Sequence, residues 1–146
     1  NFDSCHEFSG VESKKLEAGD YSLVGYENIV SIERKATADE LYNNFSNSES
    51  RARFSRELDR LKNIKYKFII IEQELSDVMN PSNYFINNNN RNKFSPYMPI
   101  SVVIHELILS MLKYNVHVIF AGSKARDLTK KILLEVYDLE RKKSSS

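Results

Sequence analysis

Short apolar runs alternate with amphipathic stretches along the 146-residue chain, and each pattern predicts an element of secondary structure. Residues 21–23 and 29–35 have the pattern of two strands joined by the polar turn 25–28, which predicts a hairpin. A continuous apolar run over 67–72 is typical of a strand that is buried on both faces. A further strand is predicted over 116–120.

Four of the remaining stretches have the pattern of a helix. Thr37 and Glu40 fit a capping box, which predicts a helix that runs toward Phe45. Ser123 follows the turn at Gly122 and is expected to cap the last helix. The second, third and fourth helices are predicted over 49–63, 100–114 and 123–142.

The order of these elements indicates a fold class. Strands separated by helices, after an initial hairpin, predict a three-layer α/β domain with a mixed central sheet. Nothing marks a domain boundary, so residues 1–143 are expected to form one domain and 144–146 a solvated tail. All three prolines and a run of asparagines fall in 80–99, which predicts a mobile loop.

Composition excludes several classes of protein. The 21 Lys+Arg residues nearly balance the 20 Asp+Glu residues, which argues against a globally cationic nucleic-acid binder but permits a local basic face. The single cysteine, Cys5, and three scattered histidines supply neither a disulfide framework nor a structural zinc site. No apolar run reaches the roughly 18 residues that a transmembrane helix needs, so we expect a cytoplasmic protein.

Acidic and basic side chains converge in the predicted hairpin. If the hairpin is symmetric about Tyr26 and Glu27, paired residue numbers total 53, which places Asp20 opposite Glu33. Opposed Cβ atoms lie about 4.5–5.5 Å apart, so both carboxylates can hold one hard cation, and Lys35 lies on the same side as Glu33 because side chains alternate. This trio suits metal-assisted phosphodiester hydrolysis. A surface ladder of salt bridges is the alternative that the spacing leaves open.

The same residues resemble a known motif. Gly19-Asp20-Tyr21, followed by Glu33-Arg34-Lys35 and Asp39, is similar to the GDY and ERKxxxD signature of the XPF/Hef-type nuclease domain, a branch of the PD-(D/E)XK nucleases. The order of the downstream elements extends this resemblance to nearly the whole chain. It implies a restriction-endonuclease-like fold, a Mg²⁺- or Mn²⁺-dependent endonuclease that cuts branched, flapped or forked DNA, and a homodimer. The compact phage and prokaryotic members of the family are the most similar.

The resemblance also implies roles for individual residues. Asp20 and Glu33 correspond to metal ligands, and Lys35 corresponds to the catalytic lysine. Arg34 and Asp39 correspond to supporting residues. Because Arg34 points to the other side of an ideal strand, we expect it to pair or position, with Asp39 as a candidate partner. Glu72, at the end of a central strand, is expected to be a further supporting carboxylate.

Two helices carry patterns with more than one interpretation. The helix over 49–63 buries one apolar stripe, and its exposed arginines predict a surface that follows DNA phosphates, although a solvated helix face is an alternative. The apolar stripe over 104–112 is more typical of core than of a partner surface. The predicted DNA-binding residues are Arg51, Arg53, Arg56 and Arg60.

The start of the chain departs from the family. Members usually open with a strand that carries an Asp-x-Arg-Glu element well before GDY, whereas Asp3 is followed by Ser4, Cys5 and His6. We therefore expect the chain to begin inside the domain, without that first strand. The alternative function is a catalytically inactive DNA-binding or scaffolding member of the same fold. The intact set of two acids and a lysine argues against this alternative.

Overall fold

A computed structural model describes residues 5–8, 11–14, 21–36, 38–45, 47–79 and 100–144. The strands within these segments are β1 (Cys5–Phe8), β2 (Val11–Lys14), β3 (Ser22–Leu23), β4 (Val30–Lys35), β5 (Tyr66–Ile71) and β6 (His117–Phe120). The helices are α1 (Ala38–Phe45), α2 (Ser48–Arg60), α3 (Leu75–Met79), α4 (Ile100–Tyr114) and α5 (Ala125–Ser144), with a 3-10 turn at Gly122–Lys124.

The strands form two three-stranded sheets. β1, β2 and β3 are antiparallel, whereas β4, β5 and β6 are parallel and lie in that order. Parallel neighbours need crossover connections, and the helical segments between β4 and β5 and between β5 and β6 provide them. Within the described part of the chain, an antiparallel bridge between Tyr21 and Ile32 joins the two sheets. The predicted mixed sheet is thus a parallel sheet linked to an antiparallel one.

The predicted hairpin is shorter than the sequence pattern suggests. β3 pairs with β2 rather than along β4, so among residues 21–36 the expected strand pair is reduced to the Tyr21–Ile32 bridge. The turn is closed by a hydrogen bond from the Tyr26 N–H to the Leu23 carbonyl, 2.9 Å long. Gly25 has a φ of +86°, a left-handed conformation that glycine adopts without a steric cost.

Helices cover both faces of the parallel sheet, as the three-layer prediction requires. On one face, Ile69 and Ile71 pack with buried side chains of α1, α2 and α4. On the other face, Ile32 and Ile70 pack with α5 and with β3. The alternation of side chains along each strand supplies both cores, which is why β5 has a continuous apolar run.

The structure shows how three helices begin, and one of these starts differs from the sequence prediction. The Asn47 side chain accepts a 2.8 Å hydrogen bond from the Ser50 N–H and caps α2. Glu40 reaches back toward the start of α1, where it accepts from the Ala36 N–H at 3.4 Å, one residue before the Thr37 N–H of the predicted capping box; Thr37 itself lies outside the described residues. Ser123, however, does not cap the last helix, because a 3-10 turn that includes Ser123 precedes α5.

The outer side of α4 corrects another expectation. Leu107 is buried, but Ile108, Met111 and Leu112 are exposed, and 75% of Leu112 is accessible. The apolar residues of 104–112 occupy more of the helix circumference than the sheet can cover, so the stripe is core on one side only.

Two predictions concern parts of the chain outside the described residues. These are the mobile loop over 80–99 and the expectation that residues 1–3 correspond to the stretch that follows the family's first strand. Within the described segments, no helix is both long and apolar enough to cross a membrane.

Candidate active site

The carboxyl ends of the three parallel strands meet at one edge of the sheet, called here the carboxyl edge. Backbone hydrogen bonds extend the pairing just past the strands, from the Glu72 N–H to the Lys35 carbonyl and from the Ala121 N–H to the Ile71 carbonyl, each 2.9 Å long. In open α/β sheets, ligands bind at this edge because the connecting loops leave a crevice there. The predicted catalytic residues Glu33 and Lys35 are in the last three residues of β4 and therefore lie at this edge.

Alternation along β4 divides the motif between the two faces of the sheet. Ile32 belongs to the core beside α5, so Arg34 projects toward that face. Glu33 and Lys35 project toward the face that α1, α2 and α4 cover. The structure therefore brings Glu33 and Lys35 together and separates them from Arg34, as the strand period predicts.

Glu33 and Lys35 form an ion pair. The Lys35 Nζ atom lies 3.7 Å from the Glu33 Oε1 atom, and the two side chains are 10% and 22% exposed. This separation is longer than a good hydrogen bond, so the attraction between the two groups is mainly that of opposite charges. A mostly buried ammonium beside a partly exposed carboxylate can stabilise negative charge on an approaching phosphate.

An aromatic ring supports the lysine. The Lys35 Nζ atom lies 5.7 Å from the centre of the Phe54 ring, within the range of a cation–π interaction. Phe54 is buried in α2 and packs edge-on against Phe45 of α1, with ring centres 5.2 Å apart. The two helices thus hold the ring that limits where the Lys35 ammonium can lie.

Arg34 pairs with Glu72 across the carboxyl edge. The Arg34 Nε atom donates to Glu72 Oε1 at 2.7 Å, and Nη2 donates to Oε2 at 2.8 Å, which is a bidentate geometry. The hydrogen bonds to Glu72 raise the pKa of the Arg34 guanidinium above its ordinary value. Glu72 therefore lies on the face opposite Glu33 and Lys35, where it joins the ends of β4 and β5.

Asp20 and the side chain of Asp39 lie outside the described residues. The Tyr21–Ile32 bridge nevertheless follows the predicted register, because its residue numbers also total 53. Tyr21 and Ile32 exchange two backbone hydrogen bonds of 2.9 Å. The next pair in this register is Asp20 with Glu33, which stays a prediction.

A hard divalent cation fits the donor set at this edge only if Asp20 contributes. Mg²⁺ commonly binds through one or two carboxylates and keeps several waters. Glu33 supplies one partly exposed carboxylate. The described residues contain no cluster of three or more His, Cys, Asp or Glu side chains that could hold a metal ion.

The predicted DNA-binding arginines are exposed along α2. Phe54 and Leu58 turn inward from the same helix, so the basic side chains occupy its solvent side. Phe54 of this helix contacts Lys35, so the exposed basic surface of α2 lies beside the carboxyl edge. The exposed arginines are Arg51, Arg53, Arg56 and Arg60.

Sequence reasoning missed two contacts of the motif. It named Asp39 as the candidate partner of Arg34, whereas the structure pairs Arg34 with Glu72. The parallel register of β4 with β5 places Arg34 beside Ile70. Glu72 follows two residues later on the same face as Ile70, so this register would have predicted the contact between Arg34 and Glu72. The contact between Lys35 and Phe54 has no signal in the sequence, since it depends on where α2 crosses the sheet.

Comparisons with known proteins identify the family of the chain. The family model described as the ERCC4 domain matches residues 4–132 of the chain. No curated protein matches the chain in sequence.

A solved structure has a similar fold. The structure titled "XPF from Aeropyrum pernix" superposes with a TM-score of 0.52 at 18% sequence identity. The match covers 90% of this chain and 54% of the archaeal chain, so the protein described here spans about half the length of that relative. At this identity the likeness shows the fold alone.

Proposed function

Because the chain belongs to the ERCC4 domain family, whose members are generally nucleases, we propose that it is a divalent-metal-dependent endonuclease that hydrolyses DNA phosphodiester bonds. The observation that carries this proposal is the pairing of Glu33 with Lys35 at the carboxyl edge of the parallel sheet. A carboxylate and an ammonium only 3.7 Å apart can act together on one phosphate group.

Each residue at the edge has a task in this proposal. Glu33, with Asp20 opposite it in the predicted register, holds Mg²⁺ or Mn²⁺. The chemistry that the ion supplies is polarisation of a phosphate oxygen and acidification of the attacking water. Lys35 donates hydrogen bonds to the phosphate oxygens on which negative charge develops. Arg34 and Glu72 act from the opposite face by holding the ends of β4 and β5 in register.

The preference for branched, flapped or forked DNA belongs to the same proposal and rests on the family resemblance. So does the homodimer. The exposed apolar residues Ile108, Met111 and Leu112 on α4 support a homodimer, because water disfavours contiguous apolar surface. These three residues are close enough along the helix to form one patch.

The experiment that tests the function compares cleavage of end-labelled flap, fork, four-way-junction and linear duplex DNA in Mg²⁺, Mn²⁺ or EDTA. The variants are Lys35→Ala and, as a matched control, Lys113→Ala, which removes an exposed lysine from α4. We expect metal-dependent cutting by the wild type and by the control. Lys35→Ala should lower the rate constant of cleavage about 100-fold or more, as loss of a transition-state donor does.

Two results would contradict the proposal. Full turnover by Lys35→Ala would remove Lys35 from the mechanism, and cutting that persists in EDTA would remove the metal. DNA binding without any cutting, on all four substrates and with both metals, would favour the alternative of an inactive DNA-binding or scaffolding member.

A further inference from the structure

Two helices on opposite faces of the parallel sheet end near its other edge, the amino edge where β5 begins. α2 ends at Arg60, just before β5 begins at Tyr66. The far end of α5 reaches the same place, because Glu140 accepts hydrogen bonds from the Tyr66 hydroxyl and from Lys65, each 2.9 Å long. Residues distant in sequence therefore form one surface there.

This surface is strongly basic. Its cations are exposed, and we call them together the amino-edge patch: Lys62, Lys65, Arg141, Lys142 and Lys143. The carboxylates paired with them are Glu140, which Lys65 and Lys143 share, and Asp138, which lies 3.8 Å from Arg141. The exposed Arg60 and Asp59 at the end of α2 add one charge of each sign, so six cations and three carboxylates leave a local charge of +3, whereas the whole chain carries only +1. Positive charge is thus concentrated at this edge.

The patch continues the basic surface of α2. Arg53 lies next to Phe54 and therefore near Lys35, and Arg60 lies about 10 Å further along the helix axis. The two edges of the sheet are about 17 Å apart, as judged from the length of β5. That distance corresponds to roughly five base pairs of a duplex at 3.4 Å each. An exposed basic path of this length connects the candidate active site with the amino-edge patch.

Basic residues at the ends of helices have a simpler role. Lysine and arginine in the last turn offset the partial negative charge of the helix carboxyl end. That role explains a residue or two in the last turn of α5, where Arg141, Lys142 and Lys143 follow one another. It also covers Lys62, one residue beyond the Leu61 C-cap of α2, but it does not account for Lys65, whose ammonium contacts Glu140 near the end of α5.

We propose that the amino-edge patch binds the phosphate backbone of a duplex DNA arm that runs along α2 from the candidate active site. The inference rests on the proposed function, because it takes the substrate of that site to be DNA. The arm is recognised by its regularly spaced phosphates and not by its base sequence. The patch therefore sets how much duplex next to the cleavage point the protein requires.

The test measures binding of a forked DNA with long duplex arms, in EDTA, over a range of salt concentrations. The variant Lys62→Glu/Lys142→Glu reverses two exposed patch charges and keeps Lys65 and Lys143, the two lysines that pair with Glu140. The matched control, Lys113→Glu/Lys131→Glu, makes the same change in net charge at two exposed lysines outside the patch. Circular dichroism verifies that both variants fold.

We expect the patch variant to bind at least about tenfold more weakly and its salt slope to fall by about 0.9 for each lost phosphate contact. The control should keep the wild-type slope. In a hydroxyl-radical footprint on the same DNA, the patch variant should lose about five base pairs of protection at the far end of one arm.

Glu140→Gln provides a test in the opposite direction. It removes the central carboxylate of the patch, so DNA should bind about twofold more tightly, since one nearby charge interacts weakly in water. If the cations serve only the helix ends, Glu140→Gln leaves DNA affinity unchanged.

An unchanged salt slope in the patch variant, or an equal loss in the control, would overturn the proposal. So would a wild type that does not bind the forked DNA in EDTA. These outcomes are separate from failure of the proposed function, because binding in EDTA needs no catalysis. A shifted slope in a protein that never cuts DNA would support the patch and contradict the nuclease.

Discussion

Arg34 and Lys35 are neighbours in sequence whose side chains act on opposite faces of the same strand. Lys35 lies with Glu33 and Phe54, whereas Arg34 makes two charge-assisted hydrogen bonds to Glu72. Bidentate pairs of this kind have a fixed geometry, so they specify position as well as adding energy. We infer that Arg34 is a positioning residue, because its guanidinium is already engaged on the face away from Lys35.

A double-mutant cycle measures this pair. Arg34→Gln, Glu72→Gln and the double variant should show a favourable coupling energy of about 1–2 kcal/mol, less than a fully buried pair because Arg34 is 35% exposed. Urea unfolding of the four proteins gives the free energies of unfolding. A coupling energy near zero would show that the pair adds no stability beyond that of its separate residues.

The helix α2 connects stability with the site. Its buried side chains Phe54 and Leu58 hold it against the sheet, and its exposed side chains form the basic surface. Phe54 has a second contact, because its ring also lies below the Lys35 ammonium. Packing of α1 against α2 through the Phe45 and Phe54 rings is therefore linked to the position of a catalytic candidate.

Two leucine substitutions separate these effects. Phe54→Leu and Phe45→Leu both remove the ring pair and should each lower the free energy of unfolding by about 1–2 kcal/mol. Only Phe54→Leu removes the ring beside Lys35, so it should lower the cleavage rate more than Phe45→Leu does. Denaturant melts and single-turnover cleavage on the same samples make the comparison. Equal rates in the two variants would mean that the ring contributes packing alone.

At the scale of the whole molecule, hydrogen bonds between residues far apart in the chain attach the last helix to the start of a central strand. Glu140 of α5 accepts hydrogen bonds from Lys65 and Tyr66 at the start of β5, 75 and 74 positions away. These bonds hold the last helix against the face of the sheet on which Val30 and Ile32 are buried. The hydrogen bond from Lys65 is the main reason why the pKa of the Glu140 carboxyl is lower than its ordinary value, and the hydrogen bond from Tyr66 lowers this pKa further.

This pKa shift predicts a pH dependence of stability. A carboxyl whose pKa is lower in the folded state stabilises the fold at pH values above its unfolded pKa, and the stabilisation is lost as the pH falls through the folded value. Wild type should therefore be more stable than Glu140→Gln at pH 7, and the difference should shrink as the pH falls below the ordinary pKa of 4.5. Urea unfolding at a series of pH values measures it. A difference that is constant from pH 7 to pH 3 would show that the charge of Glu140 contributes nothing.

Local patterns predicted most of the elements. The apolar run before Glu72, the helix over 100–114 and the inward stripe of α2 all appear in the structure, because hydrophobic periodicity reflects which face is buried. The register that places Asp20 against Glu33 is consistent with the Tyr21–Ile32 bridge. The pairing of β3 with β2 was not predictable, because a short turn between the strands over 21–23 and 29–35 predicts that these two strands pair with each other.

The sequence by itself determined the candidate motif, the strand that presents it and the faces on which Glu33, Arg34 and Lys35 lie, because a strand alternates its side chains wherever it occurs. Only the tertiary structure decided which residues complete their surroundings. Glu72 reaches Arg34, and Phe54 reaches Lys35, through the parallel register of β4 with β5 and the crossing of α2. Such contacts depend on how separate elements pack against one another, and local periodicity carries no record of that packing.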